Sequence, residues 1–263
     1  MERDCLVAAA FAGALTCALS AQAGMLVPVP LVPNSLETAA SSINDNGVLT
    51  GDYMDQDFRD HGLVGTLDGN YIFFDYNSRV STHGISINKD GVIAGWALQR
   101  QAPWLEFQFV RSPNGKITTV TLDGKHMKGG GRPGTFTDNG QIVGYYEALK
   151  KDGSYSEPKG LLGQGSNYES KIALPFKGMG GIFATGVNNT GDVAGYFESC
   201  PRCDGVHGFV VKDGAATEIN YPDDRIVSTA IYGINDKDLM VGQALYADDS
   251  WVDFSLRPAE RQV

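Results

Sequence analysis

The chain has 263 residues, a formal net charge of −10, 20% charged residues and 42% hydrophobic ones. The acidity is spread without blocks, which describes a solvated surface and argues against nucleic acid, whose phosphates need a basic stripe. That length is enough for a sizeable core, and an all-β ring of this size forms one domain.

The opening segment reads as a secretory leader. Leu6 to Leu19 is an apolar run, and Ala21-Gln22-Ala23 before Gly24 is a small-x-small cleavage site. The run is too short for a membrane span. One departure is that Glu2 and Asp4 flank Arg3, so the usual basic start is nearly neutral. Residues 1–23 are therefore assigned as a signal peptide. Residues 24–263 form a mature chain that is secreted or periplasmic, monomeric and without a membrane span. Cys5 and Cys17 leave with the leader.

Residues 25–32 follow as a strand, Met25-Leu26-Val27-Pro28-Val29-Pro30-Leu31 at its heart. Pro28 and Pro30 are two apart, so both missing N–H groups face one edge, which suits only an outermost strand.

Five copies of one phrase come next. They are Ser42-Ile43-Asn44-Asp45-Asn46-Gly47-Val48-Leu49-Thr50-Gly51, then Ser86 to Gly95, Thr135 to Gly144, Gly186 to Gly195, and Gly233 to Gly242. The closing glycines lie about 44–51 residues apart, a period that marks a propeller or array. In the tight hairpin of each phrase, Asn44, Asn88, Asn188 and Asn235 fold back on their own backbone. Gly47, Gly91, Gly140 and Gly191 supply positive φ. Asp238 stands in the glycine position of the fifth copy, a residue that tolerates that region.

Each unit reads as four strands. The fourth shows it best: Phe183 to Asn188, Val193 to Phe197, His207 to Val211, and Thr217 to Pro222. In other units the outer strand is expected at Tyr71–Tyr76, Ile117–Val120 and Lys171–Pro175. Four strands per repeat without helical period give the blade of a β-propeller. The units run over about 34–78, 79–124, 125–176, 177–223 and 224–258. The fifth ends at its third strand, Trp251 to Leu256, so residues 25–32 are expected to supply its outermost strand. The expected fold is all-β, a five-bladed propeller of four-stranded blades closed by the N-terminal strand.

The phrase Gly-Ile-Asn-x-x-Gly-x-Val-x-Gly followed by His-Gly-Phe resembles the HAF-type extracellular repeats of secreted bacterial proteins. The resemblance rests on Gly186-Val187-Asn188, Gly191, Gly195 and His207-Gly208-Phe209, and spans about Leu26 to Pro258. Unit three departs from it at Thr137 and at Lys159-Gly160-Leu161, and unit five has no histidine. The resemblance implies a secreted propeller-like protein and no particular activity.

Catalytic chemistry has little support in the residues. No Gly-x-Ser-x-Gly elbow or His-Glu-x-x-His helix is present. Asp45, Asp90, Asp138 and Asp236 recur, but no copy supplies the full ligand set of a calcium loop. No metal and no cofactor are expected. Cys200-Pro201-Arg202-Cys203 reads as a local loop disulfide in an oxidising compartment, there being no helix start for a redox pair. The pieces before each turn, Ala39–Ile43 among them, carry no Asp or Glu, which argues against a glycosidase with acids on its inner strands.

The loops between second and third strands differ from copy to copy, and binding loops on a rigid scaffold vary in this way. Tyr53, Phe58, Trp104, Tyr155, Tyr246 and Trp251 lie on or beside them, residues suited to a glycan or an extracellular protein. The leading expectation is a non-enzymatic binding propeller. The rivals are a hydrolase or lyase acting on a polysaccharide through His61, His207, Asp55, Asp57 or Glu198, and a structural envelope protein.

Overall fold

The computed structural model describes residues 28–100, 105–199 and 205–257. Strands β1 (Glu37–Ile43), β2 (Val48–Met54), β3 (Asp60–Thr66) and β4 (Tyr71–Phe74) form a first antiparallel sheet in chain order. Strands β5 (Ser81–Ile87), β6 (Ile93–Gln99), β7 (Leu105–Arg111) and β8 (Ile117–Thr119) form the second. The third is larger and curls. It contains β9 (Thr121–Leu122), β10 (Lys125–His126), β11 (Gly129–Gly130), β12 (Pro133–Phe136), β13 (Gln141–Ala148), β14 (Lys159–Gln164) and β15 (Asn167–Lys171). Its β9 pairs parallel to β15, while β11 and β12 both pair with β13.

Strands β16 (Met179–Val187), β17 (Val193–Ser199), β18 (Val206–Lys212) and β19 (Ala215–Ile219) make the fourth sheet. The fifth has three strands, β20 (Ile226–Ile234), β21 (Met240–Tyr246) and β22 (Trp251–Leu256). The chain is all-β with propeller architecture: four blades and one larger sheet. No helix among the described residues is long and apolar enough to cross a membrane.

The core lies between consecutive sheets. Phe109 of β7 meets Phe74 of β4 edge-on at 6.1 Å, joining the first sheet to the second. Ala94 and Val120 pack with Phe136, Ile142, Leu161 and Tyr168, and Val143 with Ala184, Val193 and Phe209. Ala194 and Val210 pack with Ile231 and Met240 at the last of these interfaces. Each large side chain so buried contributes ~1.5–3 kcal/mol relative to exposure.

Two expectations need correction. The outer strand of the third unit is Asn167–Lys171, not Lys171–Pro175. Gly165 (φ 60°) turns the chain directly after β14, and Leu174 is instead buried between the third and fourth sheets. The ring-closing N-terminal strand is also not found among the described residues. Pro28 to Leu31 form no strand, and the fifth sheet has only three. The Pro30 carbonyl accepts the Tyr71 hydroxyl at 2.9 Å, and Val32 is buried with Leu49 and Leu63, which pins this segment to the first sheet. Prolines without N–H groups give it little with which to hold a ladder. Met25 to Val27 lie outside the described residues.

The repeated phrase has a double mechanical role. Asn188 Oδ1 accepts the N–H groups of Thr190 and Asp192 at 3.2 and 2.8 Å, folding its hairpin, and the pattern recurs at Asn44, Asn88 and Asn235. In the third unit Thr137 Oγ1 accepts the Gln141 N–H and donates to Asn139 Oδ1. The amide Nδ2 then reaches the next sheet: Asn44 to the Asn88 carbonyl (2.9 Å), Asn88 to Thr137 (3.2 Å), Asn188 to Asn235 (3.3 Å). A second series runs one residue further on. The N–H of Lys89 donates to Asp138 Oδ1 (2.8 Å), that of Asp138 to Asn189 Oδ1 (3.0 Å), and that of Asn189 to Asp236 Oδ1 (2.7 Å).

The closing glycine of each phrase has a steric cause. The strand before it carries a bulge, as between Ala184 and Gly186, and its backbone lies close against the glycine. A Cβ on Gly51, Gly95, Gly144, Gly195 or Gly242 would overlap the carbonyl oxygen of Ala39, His83, Arg132, Phe183 or Ala230 in turn.

Candidate functional site

The residue after each closing glycine is Asp52, Trp96, Tyr145, Tyr196 or Gln243, and these differ where the glycine does not. They stand on β2, β6, β13, β17 and β21, the strand that follows the hairpin in each repeat. Together with their neighbours on the first strands they make a continuous belt. Asp52 Oδ1 lies 3.2 Å from His83 Nδ1, and the His83 ring stacks on Trp96 at 4.3 Å. The Arg132 guanidinium sits 4.2 Å over the Trp96 ring. Tyr145 meets Phe183 at 4.8 Å, Phe183 stacks on Tyr196 at 4.7 Å, and Tyr196 touches Tyr232 edge-on at 6.3 Å. The Tyr232 hydroxyl reaches Gln243 Oε1 at 3.4 Å.

Exposure divides the belt into foundation and working surface. Trp96 is buried, whereas Tyr145, Phe183 and Tyr196 are half-buried and Tyr232 and Arg132 are exposed. Burial pushes the Tyr145 phenol above its ordinary value and takes that of Tyr196 up to about 12. Both hydroxyls therefore stay protonated and able to donate.

Three carboxylates adjoin these rings. Glu106 Oε2 accepts the Gly131 N–H at 2.6 Å and Glu198 Oε2 accepts the Gly181 N–H at 3.2 Å. Glu147, at the end of β13, feels both. Its carboxyl is raised above the usual range by burial first, then by Glu106 and Glu198. The absence of acids on the first strands thus says nothing against carboxylate chemistry, because these come from the second and third strands.

A raised carboxyl favours the protonated native state. Its contribution to stability is complete below the ordinary Glu range and is lost as pH rises through the raised value. Glu147→Gln is therefore expected to melt ~1–3 °C above the native chain at pH 7, a difference that closes near pH 4. Calorimetry of both proteins across that range measures it, and equal melting at pH 7 would mean that the Glu147 carboxyl is not raised.

The aromatic residues singled out by loop position are dispersed. Tyr53 is committed to packing, stacked on His61 at 5.0 Å and against Phe73 at 4.8 Å. Phe58 is 63% exposed at the tip of the β2–β3 turn, and Trp251 is 58% exposed at the start of β22. Tyr155 bridges to Leu149 beyond β13, and Arg225 lies 5.0 Å over the Tyr246 ring. Trp104, Cys200 and Cys203 lie outside the described residues.

The histidines do not converge. His61 sits between Asp55 (3.0 Å) and Asp75 (2.9 Å) in the first sheet. His207 pairs with Glu218 at 2.9 Å and stacks on Phe197 in the fourth. Asp52, Asp60 and His83 each offer a metal-ligand atom, all within 4.8 Å of one another. Arg100 already holds Asp60 at 2.9 Å, and this group reads as a charged clasp between the first two sheets.

The chain matches no family model and no curated protein. Solved structures similar to it include two described as propellers. The β-propeller domain of the Trilobed protease from Pyrococcus furiosus, described as having an open velcro topology, is 14% identical with a TM-score of 0.43, covering 86% of this chain and 82% of that one. A six-bladed fucose-recognising lectin from Aleuria aurantia is 14% identical with a TM-score of 0.47, covering 83% and 73%. A gluconolactonase from Xanthomonas campestris is 12% identical with a TM-score of 0.40, covering 82% and 75%. Likeness this distant carries no argument about ligand or activity.

Proposed function

We propose that the chain is a secreted, non-enzymatic propeller of the HAF-repeat kind that binds an extracellular carbohydrate at the belt, with the second-to-third-strand loops as its rim. The curled third sheet would be the third blade of five, and the protein a monomer. What supports the reading is the row of accessible rings, Tyr145, Phe183, Tyr196 and Tyr232, beside Arg132 and three carboxylates. Flat rings take the apolar faces of sugars, while guanidinium, carboxylate and phenol groups take their hydroxyls.

A glycan array with the mature protein is expected to give at least one hit. Tyr145→Ala and Tyr196→Ala are each expected to weaken it ~10-fold or more, one lost ring contact being worth about 1.4 kcal/mol or above. Phe58→Ala separates rim from belt. No hit, or a hit that both tyrosine variants leave intact, removes the proposal.

One observation favours a second reading, hydrolysis of a polysaccharide. Glu147 has the raised carboxyl of a general acid, with burial first and then Glu106 and Glu198 as the cause. Release of reducing ends by the native chain and not by Glu147→Gln would support it.

A further inference from the structure

The clasp between the first two sheets holds more ligand chemistry than Arg100 uses. Asp52 stands on β2, Asp60 opens β3 and His83 lies on β5. Two backbone features bring them together. A Cβ on Gly84 would overlap Thr50 Oγ1 and crowd the Gly51 carbonyl, so this glycine lets β5 press on β2 and sets His83 beside Asp52. The Asp60 N–H donates to Ser81 Oγ at 3.2 Å, which pins the start of β3 to the same strand. The side chains are enclosed, with exposures of 16% for His83, 19% for Asp52 and 7% for Asp60.

Their hydrogen bonding is incomplete. His83 Nδ1 lies 3.2 Å from Asp52 Oδ1 and His83 Nε2 lies 3.5 Å from Asp60 Oδ2, but neither contact has the geometry of a hydrogen bond. Among the described residues, neither the Asp52 carboxylate nor the His83 ring makes any other. An enclosed carboxylate and imidazole in that condition are groups short of a partner. One cation can serve all three residues. Each offers a ligand atom, and the three atoms lie within 4.8 Å of one another. Ligands ~2.1 Å from an ion stand at most ~4.2 Å apart, so a shift of about half an ångström closes the set.

We propose that Asp52, Asp60 and His83 bind a divalent transition-metal ion, with zinc as the first candidate. An imidazole beside two carboxylates suits such an ion, whereas calcium and magnesium take oxygen ligands throughout. Arg100 holds the ion's place. Its side chain is 47% exposed, with Nη2 on Asp60 at 2.9 Å and Nη1 on the Phe58 carbonyl at 2.7 Å, so it can turn out into solvent. One guanidinium offsets half the charge of two carboxylates, and a divalent ion offsets all of it. The Trp96 ring, stacked on His83 at 4.3 Å, fixes the imidazole plane. An ion here stands at the end of the belt, and three protein ligands leave a coordination position for water or a ligand oxygen. Its binding does not depend on what the belt holds.

The test is calorimetric titration of the full chain with zinc chloride, Cys5, Cys17, Cys200 and Cys203 being replaced by serine to remove competing thiolates. One ion per chain is expected, at roughly micromolar affinity, with calcium giving no signal under the same conditions. Asp52→Asn and His83→Gln are each expected to weaken binding ~10-fold or more, and His61→Gln to leave it unchanged. Asp52 makes no hydrogen bond, so Asp52→Asn keeps the fold even if His83→Gln does not. Arg100→Ala is expected to tighten binding ~10-fold by removing the competing cation. A chain that binds no zinc at millimolar concentration overturns the proposal. So does binding that Asp52→Asn leaves intact, that calcium matches, or that Arg100→Ala weakens.

Discussion

Gly195→Ala is expected to lose about 3–5 kcal/mol, or roughly 6–15 °C in melting temperature, more than any single change on the surface. The added methyl falls on the Phe183 carbonyl oxygen and against the Phe209 ring. The oxygen belongs to the strand backbone beside a bulge, not to a flexible side chain, so β16 and β17 must part to make room. A control lies four residues away. Gly191 has φ 91° but nothing closer than Gln141 at 3.6 Å, so Gly191→Ala should cost only the backbone strain, roughly 1–2 kcal/mol. Thermal melts of the two variants give the ranking directly. Equal costs would mean that the closing glycine is a conformational requirement and not a steric one.

Asn188→Ala comes second, at about 2–4 kcal/mol. The side chain is 3% exposed, and its Oδ1 is the acceptor for two hairpin N–H groups, which alanine leaves unpaired. The same change also cuts the amide bond to the Asn235 carbonyl, loosening the fourth sheet from the fifth. Asn189→Ala should cost under about 1 kcal/mol, since that residue is exposed and its bonds can pass to water. Urea unfolding of both variants tests the contrast. If Asn188→Ala matched Asn189→Ala, the repeated asparagine would be decoration on the hairpin and not its fastening.

How far the sequence leads is plain at particular residues. The hairpins are legible because their chemistry is local: Asn188 bonds to groups two and four residues away, and Asp238 takes φ 58° where the other copies have glycine. The strands of the fourth unit are legible for the same reason. Local patterns do not say what a side chain reaches across sheets, so the bridge from Asn44 to Asn88, 44 residues on, is invisible in one phrase. The outer strand of the third unit is misplaced because Lys171-Ile172-Ala173-Leu174 is apolar enough for a strand, while Gly165 has already turned the chain.

The belt is missed for a different reason. Aromatics in variable loops attract attention, yet Trp96, Tyr145 and Tyr196 stand within strands, each directly after an invariant glycine. A single signal marks them: one register position that changes in kind directly after a glycine that repeats. Glu147 and Glu198 share that property two residues later, and only their proximity in space makes them a group.

The polarity of the hairpin bonds has a consequence for how the molecule behaves in quantity. A fastening with a donor side and an acceptor side is head-to-tail, and head-to-tail contacts either close on themselves or go on adding members. Five units of one chain have an end that gives and an end that takes. In dilute solution the two ends of one molecule would be expected to meet first. Crowded together, or with the joint blocked on one side, such molecules would be expected to link in file, and the dilution series that dissolves those files would report how strongly a single chain prefers itself.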